Sequence, residues 1–249
     1  VRERLDNDLK RVYEVGELLF SDDISAYGER CTSVFKRWDE EGGGPSILSI
    51  IVHALDQFNL TSSDYKKACF LSCILADVPN DLQYHGNEHY KKVLFHLIRL
   101  IKTHNHIVDN EEEALSLDEI VTLILCGVIH DLGHQGGDNL RDGIYTPGYM
   151  EQRSIDIAFP YLNSLDLSDS ILADIETLVF CTDITFFAGE NSPCVRMRKI
   201  YDYFYGEKQD DKVLNYMMGK LRRFEDNKKL ALLAMLLHEA DIGSSAGLS

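Results

Sequence analysis

The run Ile120-Val121-Thr122-Leu123-Ile124-Leu125-Cys126-Gly127-Val128-Ile129-His130-Asp131-Leu132-Gly133-His134-Gln135-Gly136-Gly137-Asp138-Asn139 decides how this chain is read. Its first ten residues are almost wholly apolar, which predicts a helix buried on most of its surface. Ser116-Leu117-Asp118-Glu119, just ahead of it, has the form of a capping box that would start that helix. The helix delivers His130 and Asp131 side by side, with His134 four positions after His130. An adjacent His-Asp pair suits a divalent cation, because an imidazole nitrogen and a carboxylate oxygen reach one ion from consecutive backbone positions. The second carboxylate oxygen stays available to another ion.

Working outward, apolar spacing predicts helices over residues 3–20, 24–39, 46–59, 64–78 and 85–104 before this run. In the first of them Leu5, Leu9, Val12, Val15, Leu18 and Leu19 fall on or near one stripe. Gly42-Gly43-Gly44-Pro45 and Pro79-Asn80-Asp81 interrupt the pattern, and the acidic run 109–113 reads as a solvated loop. After the run comes a glycine-rich loop over 133–147. Further helices are expected over 149–163, 168–182, 194–205, 212–224 and 228–240. Nothing alternates with period two for long and no internal repeat stands out. The expectation is an all-α fold of about eleven helices in one domain, residues 1–249, with the motifs concentrated in 84–245.

Bulk composition narrows the function classes. At 249 residues, 45% hydrophobic and 27% charged, the chain has the makeup of a folded protein with a substantial core. Its formal net charge of −16 opposes binding to nucleic-acid backbone or an anionic membrane. It does not oppose a small phosphate ester, since bound divalent cations reverse the local field. The six cysteines (Cys31, Cys69, Cys73, Cys126, Cys181, Cys194) show no paired spacing and read as reduced core thiols. No apolar stretch has membrane-spanning length and no signal peptide is visible, so a cytoplasmic location is expected, with oligomeric state open.

Two further patches join the His130-Asp131 pair. In Tyr84-His85-Gly86-Asn87-Glu88-His89 the two histidines are spaced i, i+4 and share a helix face. Ala240-Asp241-Ile242 places a carboxylate at the end of the apolar run 230–237. His89, His130, Asp131 and Asp241 together would make a two-histidine, two-carboxylate site suited to zinc, manganese, iron or cobalt. A more watery second position beside Asp131 would suit magnesium or manganese. Two such ions about 3.5–4 Å apart can clamp a phosphoryl group for in-line attack.

These residues carry a resemblance. Tyr84, His85 and His89 fit the Y-H-N-x-x-H pattern, and His130 to Asn139 fit H-D-x-x-H-x-G-x-x-N completely, in the manner of class I cyclic nucleotide phosphodiesterase catalytic domains within the HD phosphohydrolase superfamily. Met150-Glu151-Gln152, Thr182-Asp183 and Ala240-Asp241 resemble the family's later motifs. The resemblance implies hydrolysis of a 3′,5′-cyclic nucleotide, cAMP or cGMP, to the 5′-monophosphate. It implies that His89, His130, Asp131 and Asp241 hold the tighter of two divalent ions and that Asp131 bridges to the second. His85 becomes the general acid; from the chemistry of the residues themselves, Glu88 beside it or Glu151 would help to keep it protonated. His134, Glu151 and Thr182 orient waters, and Tyr84 and Asn139 support the site.

The pattern departs at Gly86, where the family has asparagine, and at Arg153 and Ser154, where it has histidines. Ile242-Gly243-Ser244-Ser245 follows the final aspartate in place of Leu-Ser-Asn-Pro. The family's base-recognising glutamine and aromatic clamp have no counterpart before Ser249, so the expected fold lacks the C-terminal base-recognition helices. Two alternatives stay open at this point: an HD-type hydrolase of another phosphate ester, and a non-catalytic module that binds metal or nucleotide. His238, three residues before Asp241, is either a neighbour of the site or a satisfied core histidine.

Overall fold

A computed structural model describes residues 2–19, 24–78, 82, 86–206 and 211–243. Among them are α1 (Arg2–Leu19), α2 (Ile24–Glu40), α3 (Ile47–Gln57), α4 (Ser63–Ala76), α5 (Asn87–Ile107), α6 (Leu117–Ile129), α7 (Tyr149–Leu162), α8 (Asp169–Phe180), α9 (Pro193–Tyr205), the single turn α10 (Arg223–Asp226) and α11 (Lys228–Gly243). The fold is all-α. The only strands among the described residues are the two-residue pair β1 (Leu140–Arg141) and β2 (Ile144–Tyr145), inside the glycine-rich loop. Asp142 and Gly143 both have positive φ, 53° and 77°, which is the backbone a two-residue hairpin turn requires.

Helix starts follow the chemistry of their first residues. Ser116 and Glu119 form the expected capping box: Ser116 N–H donates to Glu119 Oε2 at 2.7 Å and Glu119 N–H to Ser116 Oγ at 3.3 Å. Ser46 caps α3 by accepting from Ser49 N–H, and Ser168 caps α8 by accepting from Ile171 N–H, each at 3.2 Å. Pro193 opens α9, where its missing N–H costs nothing. The helix expected over 212–224 is instead a pair of 3₁₀ turns, Asp211–Tyr216 and Gly219–Arg222, followed by α10. Gly219, at φ 58°, leaves the right-handed helical region and interrupts the apolar spacing that suggested one continuous helix.

The chain divides into two compact units. One is Val1–Val128 with Ala240–Ser249; the other is Ile129–Glu239. The divisions fall within α6 and α11, so each of these helices contributes to both units. In the first unit, α3 packs with α1, α4 and α5. Its core includes Val12, Val34, Ile50, Ile51, Leu94 and Leu97, and an aromatic cluster in which Trp38 lies 5.2 Å from both Phe35 and Phe95. Each fully buried side chain of this size contributes about 1.5–3 kcal/mol relative to exposure. In the second unit, α7 packs on α8, and the core gathers Ile175, Leu178, Met197, Ile200, Phe224, Leu230 and Leu237. All six cysteines are buried free thiols. Burial pushes the Cys69 thiol up to about 12, which leaves it unreactive. No described helix is long and apolar enough to cross a membrane.

Candidate metal centre

Three helix ends supply the candidate ligands. α5 begins after the extended Gly86, and His89 sits in its first turn, 5% exposed, on the face that also buries Tyr90 and Val93. Asp241 lies near the end of α11, and its Oδ1 is 3.1 Å from His89 Nε2. His130 is the residue after α6, 1% exposed, and Asp131 follows with its Oδ2 3.5 Å from His130 Nε2.

The chain then turns at Gly133, whose φ of 68° favours glycine. A Cβ there would lie 2.4 Å from Ile157 Cδ1, so any larger residue would displace that side chain. Ser154 on α7 locks the same turn: its hydroxyl lies 2.7 Å from the carbonyl of His130 and 3.1 Å from that of Leu132, on either side of Asp131.

Ring nitrogens of His89 and His130 and a carboxylate oxygen of Asp241 all lie within 4.8 Å of one another, and all three residues are buried. This group could hold a metal ion. Two imidazoles and a carboxylate form a mixed nitrogen and oxygen donor set that suits a borderline divalent cation. The fit is also electrostatic, because a buried carboxylate is costly without a cation or a shared proton. Asp131, the fourth expected ligand, is 8% exposed and adjoins His130 without joining the mutually close set of three.

The second unit holds a further group of buried polar residues from the expected set. Asn139 accepts from Met150 N–H at 2.7 Å, tying the hairpin loop to the first turn of α7. Its amide faces Glu151 Oε1 at 3.5 Å, while Glu151 Oε2 is buried without a hydrogen-bond partner. Burial, then the negative charges of Asp183 and Asp131, push the Glu151 carboxyl up to about 8. Such a group is a protonated acid at neutral pH unless a cation reaches it. His134, half-buried, accepts at Nδ1 from Gly136 N–H at 3.0 Å, which puts the neutral ring's proton on Nε2 as a donor. Thr182 donates to Val179 O at 2.8 Å and keeps its oxygen lone pairs.

Two expected residues, Tyr84 and His85, lie outside the described residues. Glu88 is engaged elsewhere: it accepts from Gly44 N–H at 3.2 Å and pairs with Lys91. His238 rests against Cys194 Sγ at 3.6 Å in the second unit, the contact of a core histidine.

Sequence reasoning missed Asp183 and Ser154 as site-building residues. Asp183 is wholly buried and accepts from Tyr145 Oη at 2.8 Å, Gly148 N–H at 2.9 Å and Thr185 N–H at 3.0 Å. Its carboxylate pushes the Tyr145 hydroxyl well above the usual phenol range, after burial itself. The Asp-x-Thr spacing, which favours an Asx turn, was the available signal. Ser154 stood out only as a departure from the family pattern, and nothing in the sequence shows the carbonyls it meets.

Comparison with protein-family models, with curated proteins and with solved structures finds no match for this chain.

Proposed function

We propose that this chain is a divalent-metal-dependent phosphohydrolase whose substrate is a 3′,5′-cyclic nucleotide, opened to the 5′-monophosphate. The observation that carries the reading is the buried group of His89, His130 and Asp241, with Asp131 beside it. In this reading these four residues hold the tighter ion, zinc, manganese, iron or cobalt. A second ion, magnesium or manganese, would be held beside Asp131, with His134, Glu151 and Thr182 available to its waters. Bound divalent ions supply Lewis-acid polarisation of the phosphoryl group and bring the acidity of water near neutrality.

The chain's own residues do the rest. Ser154 holds the backbone that presents His130 and Asp131, so the ligands need little reorganisation. Asn139 orients Glu151, whose raised pKa leaves it able to exchange a proton near pH 8. His134 offers an Nε2 donor to water. His85, four residues before His89, is assigned the leaving-group proton: the hydroxyl of one water ends on phosphorus, the P–O3′ bond breaks, and a proton passes through His85 to the 3′-oxygen.

The test is hydrolysis of cAMP and cGMP by the purified protein with Mg²⁺ or Mn²⁺, beside His85→Ala. The reading expects the 5′-monophosphate from the parent chain and a loss of about 10²–10⁴ in kcat in the variant, with bound metal unchanged. Turnover of neither cyclic nucleotide, with metal bound, would exclude this substrate. Equal turnover by His85→Ala would remove that residue from the mechanism.

A further inference from the structure

The second unit contains a cavity of about 480 Å³ lined by Arg141, Arg153, Lys220, Tyr149, Gln152 and Phe180, with Asp156 at its edge. None of these residues belongs to the candidate metal centre. In a chain of net charge −16, a cavity with three cations and one carboxylate runs against the general field.

The cations are not equivalent. Lys220 is committed: it pairs with Glu176 at 3.0 Å, donates to Gln152 Oε1 and lies 5.5 Å from the centre of the Phe180 ring. Asp156 is engaged by Gln152 Nε2 at 2.9 Å. Arg141 and Arg153, by contrast, have no hydrogen-bond or ion-pair partner among the described residues, although acidic residues outnumber basic ones 41 to 25. Tyr149, 42% exposed, has a hydroxyl equally without a hydrogen bond.

Each component is held in place. Arg141 ends β1, and the hairpin turn fixes its backbone. Arg153 lies one turn along α7 from Tyr149, so both share one side of that helix. Phe180 lines the cavity and packs against Gly148, where a Cβ would lie 2.3 Å from its ring. Guanidinium groups recognise phosphate oxygens through paired donors, and exposed aromatic faces take planar rings. The volume matches a small ligand rather than a polymer.

We infer that this cavity is a second binding site, distinct from the metal centre, for a small phosphate monoester that carries a planar ring. The phosphate sits on Arg141 and Arg153, and the ring lies against Tyr149 and Phe180. The site needs no metal and is independent of the reaction proposed above.

Calorimetric titration of the full chain in EDTA with phenyl phosphate, inorganic phosphate and phenol tests it. Phenyl phosphate should bind at least about tenfold tighter than either fragment. Arg141→Gln and Arg153→Gln should each weaken phenyl phosphate by about five- to tenfold. Tyr149→Ala should weaken phenyl phosphate while leaving inorganic phosphate unchanged. Asp241→Asn, in the metal centre, should leave all three affinities unchanged, with thermal melting confirming that each variant folds. The inference is overturned by an absence of saturable phenyl phosphate binding up to about 20 mM, by affinities indifferent to both arginine changes, or by loss of binding in Asp241→Asn.

Discussion

Two sets of buried histidines in this molecule differ in one respect, and that difference separates candidate ligands from packing. His53 and His96 are 2% and 3% exposed, as buried as His89 and His130. His53 stands edge-on to Tyr13 at 4.8 Å, and its Nδ1 makes no hydrogen bond. Burial first, and then nearby cations (Lys102 for His53, Arg99 and Lys92 for His96), lower both rings to about 4, so they stay neutral fillers of the core. His89 and His130 instead each have a carboxylate within reach, Asp241 at 3.1 Å and Asp131 at 3.5 Å. Burial alone does not make a histidine a ligand. A second donor on a helix end is what makes His89 and His130 candidates.

The sharpest way to break this contrast is to remove the carboxylate. If the proposed cyclic-nucleotide hydrolysis holds, Asp241→Ala should lower that turnover by about 10³-fold or more. His53→Phe, which deletes an equally buried ring nitrogen, should leave turnover within about twofold and stability within about 1 kcal/mol. Equal losses in steady-state kinetics would erase the distinction. A smaller effect is expected at the support of the site. Ser154→Ala frees the carbonyls of His130 and Leu132 and should weaken metal affinity by about 10–100-fold, measured by competition with a chelating dye.

The two regions should also respond to pH with opposite signs. His53 has a folded pKa near 4, below its ordinary value of 6.5, so its contribution is present above 6.5 and lost as pH falls toward 4. Glu151 has a folded pKa near 8, above its ordinary 4.5, so in metal-free protein its contribution is present below 4.5 and lost as pH rises to 8. Urea unfolding across this range should therefore show a loss as pH falls from 6.5 to 4 that His53→Phe removes, and a loss as pH rises from 4.5 to 8 that Glu151→Gln removes. Each is on the order of a few kcal/mol at most. Saturating metal should flatten the Glu151 limb, because a cation would stabilise its ionised form.

Much of this was legible in the chain. The apolar spacing before His130 and in 230–237, together with serine caps at 46, 116 and 168, gave the helical elements because local periodicity and capping decide them. The grouping of His89, His130 and Asp241 was what the family resemblance implied, and their donor atoms do lie close together, each at an end of a helix. What stayed hidden depends on tertiary contact. Ser154 differs from any helical serine only in the carbonyls it meets. Glu88 could not be placed until the turn at Gly44 closed on it. Gly219 broke an expected helix because one positive φ outweighs a favourable run of apolar residues. The cation-lined cavity joins residues 141, 153 and 220, whose separation in sequence gave no hint of a shared wall.

The measurement that bears most directly on this account is metal content. The full chain and its Asp241→Ala and His53→Phe variants would be purified, exposed to excess Zn²⁺ or Mn²⁺, dialysed and analysed by elemental mass spectrometry. At least one tightly held divalent ion per chain is expected in the parent and in His53→Phe, and its loss in Asp241→Ala with the fold intact by circular dichroism. A parent protein that retains no ion, or an Asp241→Ala variant that retains as much as the parent, would contradict it.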